Sequence, residues 1–91
     1  MKPILGFAWY RQEQWQQLLA VSSDRGDLEE TFEEWLVLAE KSLAGLRRQG
    51  GEVRKVEVDV DDLVCWCQAE QRPIDAKARA AFVVHKLSTG T

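Results

Sequence analysis

The sequence predicts a small α+β domain in the order β-α-α-β-α-α, dominated by helix and carrying a two-stranded sheet that dimerisation would extend. Three observations carry this. Leu28, Phe32, Trp35, Leu36, Ala39, Leu43 and Leu46 hold one stripe at helical spacing. Val56, Val58 and Val60 alternate with Glu57 and Asp59, the period of a half-buried strand. Residues 3–8, in the apolar opening "PILGFAW", are short and β-compatible, although Gly6 weakens them as a regular strand.

From about Tyr10 the pattern turns helical, with Trp15, Leu18, Leu19 and Ser22 on one face and glutamines elsewhere. "SSDRGD" reads as a turn. Asp27 is placed to cap the second helix, with Glu30 three residues on in a capping-box arrangement. Acids crowd that helix's start (Glu29, Glu30, Glu33, Glu34) and Lys41, Arg47 and Arg48 its end, an order that complements the helix dipole. Gly50 and Gly51 supply the stop.

The strand in "EVRKVEVDV" cannot satisfy its backbone alone. Its expected partner is the N-terminal segment of the same chain or the same strand of a second copy. Asp59 or Asp61 caps a third helix running to about Glu70, which Pro73 ends. Asp75 caps a fourth over residues 76–88, and the polar tail 88–91 is expected to fray.

The 91 residues allow a single domain, 1–91, with one modest core. A formal charge of −3 with mixed signs gives no general attraction for phosphate backbones or anionic lipids. No run approaches the ~20 apolar residues of a membrane span. "MKPILGFAWYRQ" lacks a signal peptide's long apolar region, so the expected location is cytoplasmic.

"CWC" raises the question of a metal or redox site. Helical neighbours turn by roughly 100°, so Cys65 and Cys67 lie nearly opposite one another. That separation forbids a shared zinc and disfavours a disulfide. Cys67 is expected inside as a small hydrophobe, and Cys65 outside. His85, the lone histidine, shares a face with Ile74, Ala78, Ala81 and Phe82, so it is expected to be packed or at an interface.

The acid clusters carry no chemistry of their own. "EETFEE", Glu29 to Glu34, superficially matches half of a magnesium-binding carboxylate motif, but the completing E-x-x-D is absent. "DVDD" has Leu63 and Val64 where a calcium loop needs an oxygen ligand and a glycine. P-loop, dinucleotide-binding and nucleophile-elbow patterns are missing. No catalytic residue, metal or cofactor is therefore assigned.

The expected function is that of a non-enzymatic protein-interaction or regulatory module, self-associating through the strand edge or the last helix. Its partner is a protein, itself or another chain, with no membrane partner. Trp15, Trp35 and Trp66 are expected in the core, while Trp9 and Tyr10 are candidate interface anchors. The fourth helix, apolar almost all round, adds Phe82, Val83, Val84, His85 and Leu87. The alternative is nucleic-acid binding through a helix-turn-helix-like pair, residues 61–87, with Arg72, Lys77, Arg79 and Lys86 as contacts. The acidic total charge and the apolar fourth helix weigh against it.

Overall fold

The computed structural model describes residues 4–89. The elements follow the expected order: β1 (Ile4–Trp9), α1 (Trp15–Val21), α2 (Phe32–Arg48), β2 (Glu52–Glu57), α3 (Val60–Ala69) and α4 (Ala76–Ser88). Pro3, Gly90 and Thr91, included in the expected first strand and tail, lie outside the described residues. No helix among the described residues is long and apolar enough to cross a membrane.

The two strands pair within the chain. β1 and β2 are parallel neighbours, with Ile4 opposite Glu52 and the register running to Trp9 opposite Glu57. A parallel pair needs a long crossover, and the α1–α2 segment supplies it. One face of the sheet is covered by α4; α2 packs on β2 from the other side. Trp15, Leu18, Val58, Val60, Leu63 and Cys67 are the largest fully buried side chains, and Ala78, Phe82 and Val83 of α4 pack with them in the same core.

Most helix ends are local. Asp59 and Asp75 cap α3 and α4 by accepting from the Asp62 and Ala78 amides at 3.1 and 2.9 Å. Gly50 ends α2 at φ 85°, the left-handed region that suits glycine. After α3 the same role falls to Gln71, at φ 53°. There the Arg72 amide donates to the Cys67 carbonyl and the Gln71 amide to the Gln68 carbonyl, at 3.0 and 3.1 Å.

Three boundaries differ from expectation. Tyr10 does not open a helix: it follows directly on the strand, buried with its ring 5.9 Å from Trp15 and 5.3 Å from Trp35. A short 3-10 turn, Gln12–Gln14, intervenes before α1. The cap of α2 is Thr31, not Asp27. Its Oγ1 accepts from the Glu34 amide at 3.2 Å and donates to the Glu34 carboxylate at 3.0 Å, a side-chain cap one turn later than expected. Trp15 Nε1 donates to the Glu29 carbonyl at 3.2 Å, so residues before Thr31 are held by α1 instead of continuing α2. Finally, Val60 is the first residue of α3, because the Asp59 cap turns the chain away from β2.

Candidate functional site

Where the backbone of β1 points is settled by one hydrogen bond. The Val58 amide donates to the Trp9 carbonyl at 2.9 Å. In a parallel ladder, alternate residues direct both backbone groups toward the same neighbour. Leu5, Phe7 and Trp9 therefore face β2, while Ile4, Gly6 and Ala8 turn their amides and carbonyls outward. Among the described residues, β2 is the only strand beside β1.

That outward edge lines an open groove of about 740 Å³. One wall is α4, where Ala76, Ala80 and Val84 recur at four-residue spacing. Gly6 brings the wall close: a Cβ there would stand 2.5 Å from Val83 Cγ1 and 2.7 Å from Leu87 Cδ1. Leu28 and Trp35 line the groove from the α2 side. Ile4 and Leu5 of β1 and Val84 of α4 are 44, 50 and 61% exposed, so this groove presents large apolar side chains to solvent.

The charged side chain at the groove is paired within the chain. Arg79 is buried, and its Nη1 and Nη2 donate to Asp24 Oδ1 and Oδ2 at 2.8 and 2.7 Å. Nη1 also reaches Ser22 Oγ at 3.3 Å. Burial alone would lower the Arg79 pKa, but its hydrogen bonds to Asp24 and the acidic groups around it raise it above the ordinary value. The same hydrogen bonds hold the Asp24 carboxyl below its usual range. Burial pushes the Tyr10 phenol up to about 12, against the opposing field of Arg79.

The other edge of the sheet has a different character. β2 carries Glu52, Arg54, Lys55 and Glu57 among its six residues, whereas β1 has no charged residue. The outward carbonyl of Glu57 accepts from Lys86 Nζ at 3.2 Å. Charged side chains on an edge strand discourage pairing with another chain. The β2 edge is thus guarded and the β1 edge is not.

The residues singled out from sequence divide accordingly. Tyr10, Phe82 and Val83 are 6, 4 and 4% exposed, so the chain's own core takes them. Trp9 is half-buried, 5.2 Å from the Trp35 ring with Lys55 Nζ 4.0 Å over its own ring. Val84 and Leu87 line the groove, as do Tyr10 and Val83 where they reach its floor. His85 is exposed, with its ring 5.7 Å from Trp66 and 6.5 Å from Phe82. Trp15 is buried, while Trp35 and Trp66 are partly buried against the core.

The four cations do not form one basic face. Arg79 is buried in its ion pair, Arg72 leans over Trp66, Lys86 bonds to Glu57 and Lys77 stands exposed. Cys65 is exposed, and Cys67 is buried with its thiol pKa raised by that burial. Among the described residues no group of three or more His, Cys, Asp or Glu side chains is placed to hold a metal ion.

Ile4, Leu5, Ala76 and Ala80 belong to this groove and were not singled out from sequence. The available signal was the contrast between the uncharged "ILGFAW" and the charged "EVRKVE". Comparison with known proteins returns nothing: no family model, curated protein or solved structure matches the chain.

Proposed function

We propose that this chain is a non-enzymatic, cytoplasmic protein-interaction module that self-associates at the groove beside β1. The observation that carries the reading is the uncharged, outward-facing edge of Ile4, Gly6 and Ala8 inside an apolar groove. An added extended strand would supply backbone partners to those residues, and apolar contacts with Leu5 and Val84 would give it affinity. Support for a non-catalytic role comes from how the polar groups are used. Asp24 and Arg79 satisfy each other, Asp59 and Asp75 serve as caps, and His85 lies against two aromatic rings.

Sedimentation equilibrium tests the reading. The unsubstituted chain should sediment above its 10.4 kDa chain mass at tens of micromolar. Leu5→Lys combined with Val84→Lys, both at exposed positions, should return it to the chain mass. Folding stability of that variant, measured below the association range, should change by no more than about 1 kcal/mol. An unsubstituted chain that stays at the monomer mass throughout would remove self-association from the reading.

A further inference from the structure

We infer that the groove is filled by β1 of a second copy, running antiparallel with Gly6 opposite Gly6 of that copy on a two-fold axis. The product is a closed dimer with a four-stranded sheet in the order β2-β1-β1-β2. This rests on the interaction-module reading above and specifies its partner and geometry.

Charge selects the occupant. A second copy has two strands to offer, and its β2 is guarded by charged residues and by the Lys86 bond to the Glu57 carbonyl. Its β1 is uncharged along its whole length, so two such strands meet without opposing like charges. Pairing β1 with a neighbour's β2 would be head-to-tail and give a ring or an open filament, whereas β1 against β1 uses the same patch twice and closes after two copies.

Backbone geometry selects the register. In an antiparallel ladder, residues that exchange hydrogen bonds must both point toward the neighbour. Centring on Gly6 sets Ile4 opposite Ala8, Gly6 opposite Gly6 and Ala8 opposite Ile4, so every outward residue of β1 gains a partner. Centring on Leu5 or Phe7 leaves Ala8 or Ile4 without one inside the strand. The Gly6 register also places the half-exposed Leu5 opposite Phe7 of the second copy. On the other face of the sheet, the exposed Val84 of each α4 turns toward the dyad.

A pairwise thiol experiment reads that register. Leu5→Cys and Phe7→Cys are made in separate chains, each also carrying Cys65→Ser, which leaves the buried Cys67 as the remaining native thiol. Opposed residues of a non-hydrogen-bonded antiparallel pair lie about 4.5 Å apart at Cα, within disulfide reach, and their diagonal neighbours lie beyond it. Mild oxidation of the mixed variants should therefore cross-link position 5 of one chain to position 7 of the other. The yield should be at least tenfold above that of either variant alone.

Native mass spectrometry of the unsubstituted chain runs beside it and should show twice the 10.4 kDa chain mass. Hydrogen exchange on the same chain needs no substitution. The Gly6 and Ala8 amides should exchange at least tenfold more slowly in dimer than in monomer. A dimer that fails to give the mixed cross-link and leaves those amides unprotected overturns this geometry while self-association stands. A monomer at every concentration overturns both.

Discussion

Arg79 and Asp24 form a two-pronged ion pair across 55 residues of sequence, with N–O distances of 2.8 and 2.7 Å and both side chains largely buried. The pair ties α4 to the turn after α1, and Ser22 Oγ, which donates to the Leu18 carbonyl at 2.7 Å, accepts a further Arg79 hydrogen bond. Removing one partner leaves the other charge buried and unpaired. Asp24→Ala should therefore cost about 3–5 kcal/mol, and adding Arg79→Met should recover much of it. Urea denaturation of the single and double variants measures this.

The same pair has a pH signature. Asp24 has a lowered pKa in the folded chain, chiefly from its hydrogen bonds to Arg79. Its contribution is thus present above the ordinary aspartate value of about 3.9 and is lost as pH falls through the depressed folded value. In the Asp24→Ala variant the acid limb of a stability-against-pH curve should be shallower than in the unsubstituted chain.

Tyr10 makes the opposite prediction at alkaline pH. It is the single tyrosine of the chain, so ultraviolet titration reads it without interference from another phenol. Burial raises its pKa to about 12. Because the folded value lies above the unfolded one of about 10, the stabilisation is complete below pH 10 and declines as pH rises toward 12. The phenol should titrate near 12 in the folded chain and near 10 in denaturant. A native titration near 10 would mean that the ring is not enclosed as described.

Gly6 tests how closely α4 approaches the sheet. A methyl group at this position meets Val83 Cγ1 at 2.5 Å, and valine is too stiff at χ1 to move aside freely. Gly6→Ala should destabilise by about 1–3 kcal/mol. Val83→Ala in the same chain should relieve part of that cost, and the coupling in a double-mutant cycle should exceed about 0.5 kcal/mol.

Gln71 offers a gain instead. It holds φ 53° after α3, where its amide and that of Arg72 close the helix end on Gln68 and Cys67. A residue with a Cβ in that region is strained by roughly 1–2 kcal/mol, which glycine relieves at some entropic expense. Gln71→Gly should raise the thermal midpoint, by an amount equivalent to about 0.5–1 kcal/mol. An unchanged or lowered midpoint would show that the left-handed conformation costs little here.

One part of this protein is legible from neighbours within about four residues. The Asp59 and Asp75 caps, the Gly50 stop, the break at Pro73 and the inward Cys67 with outward Cys65 all follow from local hydrogen bonds and helical period. The element order follows from the same periods. The start of α2 is the exception, since Asp27 with Glu30 and Thr31 with Glu34 offer the same local spacing. The bond from Trp15 to the Glu29 carbonyl, made by a distant side chain, decides between them.

The remainder follows from contacts between distant segments. Parallel pairing of β1 with β2 turned Ile4, Gly6 and Ala8 outward, and a different partner or direction would have hidden them. Packing of α4 took Phe82 and Val83 into the core and left Val84 at the groove. Arg79, one of four cations in a sequence reading, became an internal ion pair because Asp24 happens to face it in the fold. Each of these outcomes depends on contacts between segments far apart in the chain. Their energies reside in the assembled packing, and no short window of residues contains them.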